Sequence, residues 1–240
     1  MKNKKICLLI GTALMMGLFS GCSNTTETPS IQSEVAEIER ATTILDVELS
    51  NTYTTCFGEV NQITAPVFTF DYPAEWEIES EEVTPISETV VLSNGAGVTV
   101  TYWNFSGMRE LTGPTRDMNE VDIKRVADAS FLPSYIQATD YSDLGTFVVA
   151  RIEVTGQYDM LSNGDFTEVN NGSIRYALLP ESQIEQQQEC IIPGLPTFSF
   201  WYAGHISMIA RTSNNAFTDQ EVNEVIGILS SFQDTTVSNS

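Results

Sequence analysis

Positive charge is scarce in this chain: 11 Lys and Arg stand against 32 Asp and Glu, with a single histidine, His205. Three of the lysines, Lys2, Lys4 and Lys5, fall in the first five residues, and Lys124 is the only one after them. No Lys/Arg cluster occurs later, and a field of this sign opposes phosphate backbones, which argues against nucleic acid as a partner. Cysteine is equally sparse, with Cys7, Cys22, Cys56 and Cys190 and no Cys-x-x-Cys. With one histidine, that leaves no ligand set for a zinc site. Long apolar runs are missing as well: the longest, "ICLLIGTALMMGLF", covers residues 6–19. A membrane-spanning helix needs roughly twenty apolar residues. There is no Gly-x-Ser-x-Gly, no internal repeat and no Asp-x-Asp-x-Asp-Gly loop. These absences remove the serine-hydrolase elbow and the EF-hand, and no cofactor is implied.

The basic "MKNKK" followed by a short apolar run has the layout of a secretory signal, either removed or kept as a marginal anchor. The run ends in Phe19, Ser20 and Gly21 before Cys22. This stretch resembles the lipobox of bacterial lipoproteins, with Phe19 where the pattern prefers Leu. The resemblance implies cleavage before Cys22, a diacylglyceryl group on its sulfur, and a place on the extracytoplasmic face of the cell membrane. Each buried acyl CH₂ contributes about 0.8 kcal/mol, so two chains hold a protein where one only visits. Residues 23–33, "SNTTETPSIQS", have the composition of a flexible spacer, with a reach on the order of 35 Å. The expected organisation is a signal over 1–21, lipidated Cys22 and linker over 22–33, one domain over 34–235 and a short tail over 236–240. After processing, 8 basic residues face 32 acidic ones, a balance of −24. Such a surface suits solubility outside the cell and leaves an envelope protein or a cationic ligand as partner.

Periodicity divides the body into strands and helices. Ile31, Val35, Ile38, Leu45 and Leu49 recur at near-helical spacing, and "DMNEVDIKRVADA" over 117–129 reads as a second helix. Period two appears in "VFTFDYP", where Phe68, Phe70 and Tyr72 share a face, and Pro73 ends the strand. "ETVVLSNGAGVTVTYWNF" reads as a hairpin turning at Asn94-Gly95, with Val98, Val100 and Tyr102 inward. Val148, Ala150, Ile152 and Val154 alternate in the next strand, Ile174, Tyr176 and Leu178 in another, and Phe198, Phe200, Tyr202, Ile206 and Met208 in a third. The last helix is the clearest: Thr218 and Glu221 make a capping-box pair, and Val222, Val225, Ile226, Leu229 and Phe232 follow the helical rhythm. Strands with helices at intervals predict an α+β fold, an antiparallel sheet flanked by helices.

Tyr72, Pro73 and Trp76 in "FTFDYPAEWEI", with Ser231 and Phe232 closing "FTDQEVNEVIGILSSF", resemble the PsbP-like lipoproteins. The likeness implies an α/β/α sandwich and brings no catalytic residue with it.

Individual side chains complete the reading. Cys56 and Cys190 either pair, which the chain-entropy picture values at up to roughly 4–5 kcal/mol for so long a loop, or stay as two separate thiols. His205 shares a strand face with Ser207 and Arg211 and is expected to be a surface or helix-covered residue. Lys124 stands among Asp122, Arg125 and Asp128, a setting for ion pairs in water. Glu75, Glu77, Glu79, Glu81, Glu82 and Asp71, and separately Asp159, Asn163, Asp165 and Glu168, carry oxygen ligands of the kind Ca²⁺ takes. They lack the loop spacing for it and read instead as a solvated edge and a polar turn. "FWYAG" reads first as core packing, with Trp201 and Trp103 as the side chains free to face a ligand. The chain is therefore expected to be a non-enzymatic, membrane-tethered binding or assembly module, with an exported hydrolase using carboxylate acid/base residues as the alternative.

Overall fold

The computed structural model describes residues 47–106, 117–132, 145–160, 166–170, 173–187, 190–193, 204–214 and 216–236. After an irregular stretch at Val47–Ser50 come β1 (Asn51–Thr54), a short α1 (Phe57–Asn61), β2 (Phe68–Tyr72), β3 (Glu77–Val83), β4 (Ser87–Ser93) and β5 (Val98–Ser106). Then follow β6 (Asp117–Asp128), β7 (Phe147–Met160), β8 (Phe166–Asn170), β9 (Ser173–Pro180), α2 (Glu181–Gln187), β10 (Cys190–Pro193), β11 (Gly204–Thr212), α3 (Asp219–Ser230) and β12 (Gln233–Asp234). The large sheet runs β10-β6-β7-β9-β11-β5-β4-β3, with β8 also paired to β7, and the small one runs β1-β2-β12. Every pairing is antiparallel.

Alternation decides which side of each strand is buried. Val98, Val100 and Tyr102 on β5, Val90 and Leu92 on β4, Tyr176 and Leu178 on β9, and Ile206 and Met208 on β11 all point to one face. Over that face lie α3, through Val225, Ile226, Ile228 and Leu229, and the small sheet, through Tyr53, Phe68 and Phe70. Phe232, fully buried just past α3, stacks on Phe68 at 5.1 Å and lies 5.0 Å from Phe131. Truncating a side chain so placed to Ala typically costs about 3–5 kcal/mol. The opposite face of the large sheet buries Val121, Ile123, Val148, Ala150, Ile152, Val154, Ala177, Leu179 and Ile209, joined by Ile184 of α2.

The β4–β5 hairpin turns where expected. Asn94 Oδ1 accepts from the N–H groups of Ala96 (2.9 Å) and Val98 (3.0 Å). Gly97 has φ of +102°, and a Cβ there would meet Ser213 Oγ at 2.5 Å, so the turn requires glycine at this point.

Three expectations are corrected. Residues 117–128 are not a helix but β6, paired with β7 along its length with two register shifts. Val121 and Ile123, two apart, bury on one side, and a bulge between Arg125 and Ala127 sends Ala127 to the other. The bulges break the strict alternation that marks a strand, so the segment loses its period-two signature. Near-helical spacing over 31–49 does not produce a helix at Val47–Ser50, and its earlier part lies outside the described residues. The expected α+β fold, an antiparallel sheet flanked by helices, is not formed, and neither is the α/β/α sandwich implied by the PsbP likeness. Among the described residues strand far outweighs helix, and a second antiparallel sheet supplies much of the layer expected from helices.

Candidate functional site

The surface along the first half of α3 is built by its own cap. Thr218 Oγ1 accepts from the Glu221 N–H, and the Glu221 carboxylate accepts from the Thr218 N–H at 2.7 Å. Those donated bonds hold the Glu221 carboxyl below the usual glutamate range. The same carboxylate accepts from Asn94 Nδ2 at 3.4 Å, tying the β4–β5 turn to the helix. One turn on, Glu224 accepts from the buried Trp76 indole N–H (2.9 Å) and from Gln220 Nε2 (2.7 Å). These contacts leave two cavities, of about 240 and 260 Å³, that share Glu75, Gln220 and Glu224 in their walls. Glu48 enters the first and Glu221 the second, so four carboxylates line one groove. Asn223, 3% exposed, also forms the wall of the first cavity, and its Oδ1 has no hydrogen-bond partner among the described residues. Such a groove is an acceptor surface for ammonium or guanidinium groups. Among the described residues no three His, Cys, Asp or Glu side chains converge to hold a metal ion.

A second constellation is sealed inside. Glu88 is fully buried on β4, on the same side as Val90 and Leu92. It accepts from the Tyr53 hydroxyl (3.1 Å) and from the N–H groups of Cys56 (2.9 Å) and Phe57 (3.2 Å). Cys56 occupies the N-cap of α1 with no side-chain cap of its own, so Glu88 satisfies the orphan donors there from across the fold. Burial lifts the Glu88 carboxyl above its ordinary range, only partly offset by these donors. Burial and the nearby Glu88 and Glu81 push the Cys56 thiol up to about 11, and Tyr53 is raised for the same kinds of reason. Tyr102 and Asn104 lie at this end of the core, and the Tyr102 hydroxyl and the Asn104 amide lack a well-formed partner among the described residues. The cluster anchors β1 and α1 to β4. A thiol kept protonated at neutral pH is a poor nucleophile.

No protein-family model, curated protein or solved structure matches this chain. The site therefore rests on its own geometry.

Residues singled out from the sequence are dispersed. Cys22 and Trp201 lie outside the described residues. Cys56 is a free thiol whose Sγ donates to Glu81 Oε1 at 3.6 Å, near the β3 edge of the large sheet. Cys190 begins β10 at the opposite edge of the large sheet. His205 is half-buried on β11, with Ser207 and Arg211 at its parity. Lys124 pairs with Asp122 at 3.2 Å, on a strand and not on the expected helix face. Glu77, Glu79, Glu81 and Glu82 lie along exposed β3, the edge strand, where their charges oppose pairing with another chain. Asp159 and Glu168 sit on β7 and β8, while Asn163 and Asp165 fall outside the described residues. Trp103 is half-buried and stacks on Phe105 at 5.6 Å. Of the four carboxylates lining the groove, the sequence singled out Glu75 as part of an acidic run and Glu221 as a cap. Glu88 went unnoticed although it keeps step with Val90 and Leu92, and Asn104 although it extends the row Val98, Val100, Tyr102.

Proposed function

We propose that the chain is a lipid-tethered, extracytoplasmic binding module of the cell envelope, non-enzymatic, that meets a positively charged partner through the acidic groove beside α3. The observation that carries this reading is the groove: four glutamates, with an Asn223 oxygen that has no partner among the described residues, around two adjoining cavities beside a capped helix. Its carboxylates are spread along a trough, which fits a basic surface better than a point charge. The tether rests on Cys22 and the leader before it. A hydrolase would want two carboxyls of divergent proton affinity facing one cleft. Glu88 and Glu221 diverge in the required sense, but one sits at the start of β4 and the other against Asn94 past its end. The length of that strand separates them by about 20 Å.

Intact mass of protein taken from its native membranes tests the tether: loss of residues 1–21 with acyl chains added, and no processing in a Cys22→Ala variant, is expected. An unmodified chain in the medium would remove it. Carbodiimide coupling on intact cells tests the groove, because it joins carboxylates to partner lysines. Crosslinks concentrated on Glu75 and Glu224 and reduced in E75Q/E224Q are expected. Crosslinks spread evenly over the acidic surface would rule the groove out as the contact.

A further inference from the structure

Five basic side chains fall among the described residues, and three have carboxylate partners. Lys124 pairs with Asp122, Arg125 with Glu181 at 2.8 Å, and Arg151 with Glu153 at 2.8 Å. Arg175 on β9 and Arg211 on β11 have none among the described residues. The two strands pair at Ala177↔Ile209 and Tyr176↔Ala210, and one step further sets Arg175 across from Arg211. Both stand at the parity of Ala177 and Ile209, on the sheet face opposite α3. Like charges placed opposite one another in a sheet are destabilising. A guanidinium does not escape by losing its proton. Partial desolvation disfavours the charge on both residues, more of Arg211 being open to solvent, and Arg211 disfavours it further on Arg175, so the fold carries the repulsion as a cost. Arg175 Nε is buried without a hydrogen-bond partner, and its Nη2 reaches Ser173 Oγ only at 3.5 Å. Thr99, the partner of Arg211 on β5, adds a hydroxyl on the same face. In a chain so rich in Asp and Glu, an internal carboxylate is the most available neutraliser, and among the described residues these two arginines do without one.

We propose that Arg175 and Arg211 form a binding site for an oxyanion, a carboxylate or phosphate group supplied from outside the chain. The forked guanidinium suits both, since it presents parallel N–H donors to two oxygens. The site is independent of the acidic groove and on the other side of the sheet.

Thermal unfolding of the full chain in inorganic phosphate, in acetate and in chloride, at matched pH and ionic strength, tests it. A saturable rise in Tm with phosphate or acetate is expected, and the anion that gives it identifies the source. Arg211 is exposed, so Arg211→Gln leaves the core intact. That variant is expected to bind about tenfold more weakly or worse and to melt above the wild type in chloride, because the repulsion is gone. Arg175→Gln is expected to lose the same response. Phosphate also stabilises proteins by exclusion from their surface. A non-saturating rise of equal size in the wild type and both variants, or no rise with either anion, would overturn the proposal.

Discussion

Glu88 shows how one buried acid ties proton binding to stability. Its carboxyl is raised above the ordinary value of 4.5, so between that value and the raised one the folded chain holds a proton that the unfolded chain has released. Stability from this group is therefore full below about 4.5 and is lost as pH rises through the folded-state value. Urea unfolding of the wild type and Glu88→Gln at several pH values between 4.5 and 8 should show the stability difference, wild type minus variant, falling as pH rises. A flat difference would mean that Glu88 is ionised throughout. Cys56 gives a second expectation. With its thiol pushed up to about 11 from 9.0, its thiolate fraction at neutral pH is about one hundredth of the ordinary value. The Cys56 share of disulfide-reagent reactivity, taken by subtraction of a Cys56→Ser variant, should be slow in the folded chain and become ordinary in denaturant. Rapid native reactivity at pH 7 would contradict the burial described.

At the scale of elements, α3 is the best test of local reasoning. Its cap was legible because Thr218 and Glu221 need only each other, and the structure contains both reciprocal bonds. Thr218→Ala should cost about 1 kcal/mol in chemical denaturation. Gly227 gives the opposite expectation. A Cβ there would sit 3.6 Å from Leu49 Cδ2 and 3.8 Å from Val47 Cβ, ordinary contact distances. Gly227→Ala should therefore stabilise by about 0.5–1 kcal/mol through helix propensity, and a loss of stability would show that segment 47–49 packs more tightly than described. The hairpin β4–β5 was legible for the same local reason as the cap, since Asn94 supplies its own turn bonds. β6 was not. Its identity depends on β7, some thirty residues away, and its two bulges shift the buried side along the strand.

Across the whole molecule the excess of acid over base sets a long-range term. Self-repulsion among 32 acidic side chains opposes compaction and is screened once the Debye length falls to a few ångströms. The urea midpoint should therefore rise between about 0.01 M and 1 M NaCl with little change in slope. A midpoint that falls would mean that attractive pairs, such as Arg125 with Glu181, outweigh the repulsion. What the sequence determined by itself was local or global: strand parity in β2, β5, β7 and β9, the cap of α3, and the scarcity of positive charge. Each follows from neighbours a few residues apart or from composition. Tertiary structure alone decided that residues 117–128 pair as a strand, that a second sheet takes the place of a helical layer, that Glu88 caps α1 from β4, and that Arg175 meets Arg211. These outcomes join residues 15 or more positions apart, and pairing and burial over such distances are settled by the competition for core space, which no short window of sequence contains.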